Sequence, residues 1–271
     1  MIPLTQNCTQ AFLTIAGSCL EAYDRSLVVF LETDEADGPH KTRVALRRLT
    51  TCLDAFAPIL RRKMMRDLRD EAKLFFRALG KVRDSDVYLA KRIEAPGHDK
   101  RQRENQALRQ KTRAHLRKAK AVSYAARALD IIKPDGAIFR DSHHSADLAH
   151  APVSKLAQAA LDQAWEACLD FGPLVTAIAR KDRHEFRKDL KRIRYLAEFF
   201  SDTIPALGAE PFNRNFKSLQ DALGILNDYD VSLKLEKRKP VKQLPDLQIA
   251  ALAEADELWA GLAKANPPWR A

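Results

Sequence analysis

Two stretches of this chain carry a histidine followed by cations at one spacing: His40, Arg43, Arg47 and Arg48, then His184, Arg187, Lys191 and Arg192. On a helix turning about 100° per residue, Arg43 and Arg47 fall within about 60° of His40, and Arg48 lies near 80°. Leu46, Leu49, Leu53 and Phe56 gather on the far side, so one face is core and the other cationic. The second stretch behaves alike, with His184, Arg187 and Lys191 opposite Leu190, Ile193, Ala197 and Phe200. Such a face suits anions, because guanidinium groups offer forked donors to phosphate or carboxylate oxygens. A histidine opening each helix adds a donor where free N–H groups and the helix dipole already favour negative charge. The surrounding Arg is expected to depress the imidazole pKa and keep it neutral until a polyanion binds.

The next predicted helix adds a second stripe. Arg62, Arg66, Arg69, Lys73 and Arg77 follow spacings that keep them on one side, opposite Met64, Leu68, Ala72, Phe75 and Leu79. The candidate anion ligands are therefore His40, Arg43, Arg47, Arg48, Arg66, Arg69, Lys73 and Arg77 in one region, and His184, Arg187, Lys191, Arg192 and Lys217 in another. No phosphate-binding glycine loop, zinc-protease helix or nucleophile elbow is present, which reads as a binding module and not an enzyme, with no cofactor. Asp84 and Asp86 follow a Leu-Gly pair, as do Asp228 and Asp230; helix capping or an ion pair to Arg suits them better than metal or acid–base work. His143, His144 and His150 lack companion Cys or acidic spacing, so no metal site is expected.

The elements that position these residues come from a duplication. His40, Arg43, Leu46, Arg47, Arg48 and Phe56 recur 144 positions later as His184, Arg187, Leu190, Lys191, Arg192 and Phe200. ALGKVRDSDVYL, from Ala78, recurs at the same offset as ALGILNDYDVSL, from Ala222. Two separate segments sharing one offset mark a tandem repeat. A solvated surface gives no reason for that spacing to recur, whereas a ligand does. The second copy is the weaker cation surface: Lys217 matches Lys73, but Asn213 stands for Arg69 and Asp221 for Arg77.

The 271 residues, 46% hydrophobic with only 9 Gly, suffice for a buried core and suit an all-α fold. The first repeat is expected over 1–132, a connecting loop with at most a short helical turn over 133–151, and the second repeat over 152–271. Within the first, helices are predicted over about 4–31, 40–59, 63–79, 84–93 and 100–129. In the second they are predicted over about 153–179, 184–200, 211–226, 228–237 and 245–263. Four principal antiparallel helices per copy predict two four-helix bundles. Cys8, Cys19, Cys52 and Cys168 are too scattered for a zinc site or a disulfide scaffold and read as reduced space-fillers. The N-terminal MIPLTQNCTQ lacks a signal-like pattern and no long uncharged apolar run occurs, which predicts a cytoplasmic protein without a membrane partner. The net charge of +10 is local: between His40 and Lys120 stand 24 Lys and Arg against 9 Asp and Glu, a net of +15, leaving −5 for the remainder. That excess implies a counter-charged partner.

HKTRVALRRLTTCLDAF followed by LGKVRDSDVYL, both repeated, resembles the CHAD family, the conserved histidine α-helical domain. The resemblance implies two four-helix bundles related by a pseudo-two-fold axis, with basic residues lining a central groove or pore. It also implies binding of inorganic polyphosphate and, for some members, association with polyphosphate granules. It places the ligand contacts at the two His-Arg motifs, with Lys73 and Lys217 in support. Arg83 precedes Asp84 but Asn227 precedes Asp228, which speaks against a symmetric role for Arg83. No alternating Glu-x-Glu-x-Lys strand of a fused triphosphate-tunnel domain is present.

Two other classes compete. A +15 window also attracts DNA or RNA, but the basic segments carry little aromatic interleaving for base stacking, with 7% aromatic residues in all. Phosphotransfer through His40 or His184 would call for one exposed histidine beside a single lysine, and two histidines amid many Arg fit a binding face better.

Overall fold

The computed structural model describes residues 6–94, 96–239 and 244–270. Ten α-helices and no β-strand occur among them, and Leu60 and Phe139 form an isolated antiparallel bridge. The all-α expectation holds. The chain divides into two compact units, Asn7–Ala151 and a second that runs on from Pro152 together with Gln6.

The first unit is built on four long helices, α1 (Cys8–Glu32), α2 (Asp37–Ala55), α3 (Arg62–Ala90) and α4 (His98–Lys118), followed by the short α5 (Tyr124–Ile132) and α6 (His143–His150). Asn7 starts α1 with a reciprocal cap: its Oδ1 accepts from the Gln10 N–H at 2.8 Å, and Gln10 Oε1 accepts from the Asn7 N–H at 3.3 Å. The predicted start at Leu4 lies outside the described residues. Helices adjacent in sequence pack on one another, α1 on α2, α2 on α3 and α3 on α4. Their shared core holds Phe12 and Phe56 with ring centroids 5.5 Å apart, and an edge-on cluster of Tyr23, Phe75 and Tyr124. The two buried phenols donate to the Ala121 and Leu68 carbonyls, each at 2.9 Å, so burying the rings strands no polar group.

The second unit repeats the four-helix order with α7 (Val153–Leu169), α8 (Arg180–Phe200), α9 (Phe212–Leu235) and α10 (Asp246–Lys264). Its core is an aromatic cluster of Trp165, Phe186, Phe212, Trp259 and Trp269. Trp259 Nε1 donates to the Gly172 carbonyl at 2.8 Å and Trp269 Nε1 to Asp162 at 3.0 Å. The four cysteines are buried thiols. Burial pushes the Cys8 and Cys19 thiols up to about 11, as expected of space-fillers.

Several expectations need correction, the simplest being that the helix predicted over 100–129 is two, α4 and α5, and the one predicted over 153–179 ends at Leu169. The predicted breaks after Leu79 and after Leu226 are absent: α3 runs unbroken from Arg62 to Ala90, and α9 from Phe212 to Leu235. Helices α2 and α8 begin at Asp37 and Arg180, earlier than the predicted His40 and His184, so the histidines sit beyond the free N–H groups of the first turn. The connecting segment is more ordered than a loop. Ser142 caps α6 by accepting from the Ser145 N–H, and Phe139 packs edge-on against Phe12 at 5.8 Å.

Candidate anion-binding site

Gly80 is explained by what lies against it. A Cβ there would stand 3.0 Å from Arg43 Nη1, so the glycine of the second repeated motif admits the arginine of the first. Arg43 crosses from α2 to α3, donates to the Phe76 carbonyl at 2.5 Å and lies 3.7 Å from the Phe76 ring centroid. The Arg47 guanidinium approaches the same ring at 4.8 Å. Phe76 is thus a platform that orients two motif cations. Burial pulls Arg43 down to about 10, opposed by Asp84 and aided by Arg47 and Arg83, which leaves it charged at neutral pH.

The second unit keeps the arrangement in looser form. A Cβ on Gly224 would meet Arg187 Nη2 at 3.8 Å, an ordinary contact. The counterpart of Phe76 is Gln220, whose Nε2 donates to the Leu190 carbonyl at 3.3 Å, so no aromatic platform forms there. This difference sets up a prediction. Gly224→Ala removes the helix-interior cost of glycine and is expected to stabilise the protein by about 0.5–1 kcal/mol. Gly80→Ala is expected to gain less, because Arg43 must give way. Urea midpoints of the two variants check this, and an equal gain would show that Arg43 does not press on Gly80.

The remaining predicted ligands divide by environment. Arg66, Arg77, His184 and Lys217 are exposed, whereas His40, Arg47, Arg48, Lys73, Lys191 and Arg192 are half-buried. Arg69 is paired with Asp54 at 2.7 Å, and Lys73 stands 3.9 Å from Asp70. Arg48 and Arg192 turn toward the preceding long helix of their units. Arg48 acts to lower the Cys19 thiol pKa against the larger effect of burial, and Arg192 Nη2 donates to Gln163 Oε1 at 3.2 Å. Those neighbours are again 144 apart, so the last motif cation links α2 to α1 and α8 to α7. His184 Nδ1 lies 3.3 Å from Asn227 Oδ1, which ties the histidine to the position where the other copy has Arg83.

The acidic pair after each glycine lies within a helix, so helix capping is ruled out, and the ion-pair reading stands for the second member of each, Asp86 and Asp230. Asp86 accepts from Arg109 Nη2 at 2.8 Å and from Asn105 Nδ2 at 3.0 Å, all three buried. Asp230 instead accepts from Arg180 Nε at 2.8 Å. Among the described residues no group of three His, Cys, Asp or Glu is placed to hold a metal ion, and no helix is long and apolar enough to cross a membrane.

Sequence reasoning missed Phe76 and the partnership of Gly80 with Arg43. A signal for Phe76 existed: Phe75 belongs to the apolar stripe of α3, and the next residue falls about 100° away, toward the cations.

The CHAD domain family model matches residues 14–235. No curated protein sequence matches the chain. Among solved structures, the crystal structure of the CHAD domain from the plant Ricinus communis aligns with a TM-score of 0.68 at 23% identity, covering 99% of this chain and 91% of that one. PptA from Streptomyces chartreusis aligns with a TM-score of 0.61 at 15% identity, covering 96% of each.

Proposed function

The chain belongs to the CHAD family, a family linked to polyphosphate, and on that premise we propose that it binds inorganic polyphosphate through the His/Arg/Lys faces of its two repeats. The observation that carries the reading is Arg43 and Arg47 gathered on Phe76, with Gly80 keeping the space clear. Held in place by the ring and the clearance, these guanidinium groups lose less side-chain freedom on meeting an anion than flexible surface cations would. Polyphosphate has about one charge per phosphate and no bases, so it needs many cations on a face and no reading of edges. His40, Arg47, Arg66, Lys73 and Arg77 would contact it from the first repeat, and His184, Arg187, Lys191 and Lys217 from the second. Arg43, Arg48 and Arg192 would act mainly by holding helices and neighbouring cations in place. The basic groove implied by the resemblance, action without catalysis and a cytoplasmic place at polyphosphate granules belong to the same proposal.

Affinity drawn from displaced counterions weakens steeply with salt. For about six phosphate contacts, log K is expected to fall with log salt at a slope of about −4, using the single-strand coefficient of about 0.7 per contact. The decisive test is a competition titration of labelled long-chain polyphosphate against unlabelled polyphosphate, single-stranded RNA and duplex DNA. Displacement by polyphosphate alone supports the proposal. Equal displacement per charge by nucleic acid would replace it with a generic polyanion site.

A further inference from the structure

The repeated motifs account for only part of the positive charge between His40 and Lys120, and helix α4 carries much of the rest. Apart from Arg101, which lies over the Tyr88 ring at 4.9 Å, its Lys and Arg side chains divide into two stripes. Arg109, Arg113 and Arg117, spaced by four, reach the C-terminal end of α1: Arg113 Nε donates to the Phe30 carbonyl at 2.8 Å, and Arg117 Nη2 to the Leu31 carbonyl at 3.4 Å. Arg113 also pairs with Asp34 at 2.8 Å, and Arg109 Nη2 reaches the Glu35 carbonyl at 3.5 Å. These three arginines cap a helix end that lacks a glycine cap, a structural task.

The opposite face has no such task. Lys100, Arg103, Lys111 and Lys118 fall within an arc of about 80° on α4 and are all exposed. None of the four forms an ion pair among the described residues. From Lys100 to Lys118 the stripe runs about 27 Å at 1.5 Å per residue. Glu104 is the one carboxylate on it, and exposed Ala107, Gln110 and Ala114 fill the gaps. The fold does not require a cationic surface here, because α10, the counterpart of α4 in the other repeat, carries Asp246, Glu254, Asp256 and Glu257 against Lys264. A helix in the same place in the repeat tolerates the opposite sign. Uncompensated like charges repel, so the excess on α4 points to a partner.

We propose that this stripe of α4 is a second contact surface for long polyphosphate chains, engaged through their phosphates alone. The inference rests on the proposed function and extends it. A protein partner would call for an aromatic or large aliphatic anchor, and the stripe has none. Base stacking would call for aromatic rings, also absent. Lysines on flexible stems suit a polymer whose phosphates present no fixed geometry. The chain then has two classes of contact, with α4 adding affinity only for polymers long enough to reach beyond the motif faces.

The test compares the wild-type chain with the variant K100Q/R103Q/K111Q/K118Q on tripolyphosphate, on polyphosphate of about 100 phosphates and on single-stranded RNA, with circular dichroism to check folding. Expected is tripolyphosphate affinity within about twofold of wild type, long-chain affinity lowered by 10-fold or more at low salt, and a salt slope shallower by about 3. Unchanged long-chain affinity and slope would overturn the proposal. So would a loss confined to RNA, which would make α4 a nucleic-acid surface. Failure of the wild-type chain to bind polyphosphate of any length would instead strike the proposed function itself, so the two failures are distinguishable.

Discussion

The double variant R47E/K191E is expected to lose polyphosphate binding by 100-fold or more. Each reversal deletes a charge-assisted contact worth about 1.5–3 kcal/mol, so the pair forfeits about 3–6 kcal/mol. The two residues are equivalent under the 144-residue offset, half-buried, and placed on the motif faces of α2 and α8. Neither forms the core side of its helix, so the fold should survive, and R47Q/K191Q serves as the milder control. The single variants carry the more searching information. If one polymer chain touches both repeats, R47E and K191E each lower affinity at unchanged stoichiometry. If the repeats bind independently, either reversal removes one class of site, halves the polymer bound and leaves the other class with its original affinity. Isothermal titration with a chain of defined length separates the two outcomes, and halved stoichiometry would end the idea of a shared ligand.

The repeat, the helical class and the amphipathic faces were legible because they depend on residue type and period alone. The 144-residue offset located both motifs, and the angular positions around His40 separated Arg43 and Arg47 from Leu46, Leu49 and Leu53, which are buried. The reading failed where a residue's role depends on a partner distant in sequence. Gly80 looked like a helix end because glycine often marks one, whereas Gly224 lay unremarked inside the predicted helix 211–226. Their use as clearances for Arg43 and Arg187 is invisible until α2 lies on α3 and α8 on α9. Arg48 and Arg192 read as ligands from the recurring motif, and their neighbours Cys19 and Gln163 on the preceding helix become visible only in the packed structure. The charge window around α4 merged two populations for the same reason: Arg109, Arg113 and Arg117 reach the end of α1, about eighty positions earlier.

Asp86→Ala is expected to destabilise the first unit by about 3–5 kcal/mol, as much as truncating a buried aromatic residue of its core. The side chains of Arg109 and Asp86 are 3% and 6% exposed, so removing the carboxylate leaves a guanidinium buried without its counter-charge. Asn105, which bridges the pair by donating to Asp86 and accepting from Arg109 Nε at 3.1 Å, loses half its role as well. That cost is a large fraction of the stability of an ordinary domain. The equivalent Asp230→Ala is expected to cost about 1 kcal/mol or less, because Arg180 and Asp230 are about a third exposed, at 33% and 31%, and water can replace the lost partner. Replacing Asp86 and Arg109 together by leucine should recover much of the loss, since the penalty is the orphaned charge and not the missing attraction. Guanidinium denaturation of the three variants tests the ranking, and equal costs for Asp86→Ala and Asp230→Ala would refute it. The contrast bears on the binding site, because Arg109 also reaches the Glu35 carbonyl just before α2 begins. The first repeat therefore hangs its entry into the His40 helix on a buried ion pair supplied by α4, whereas the second makes the equivalent pair from Arg180, the first residue of the motif helix itself.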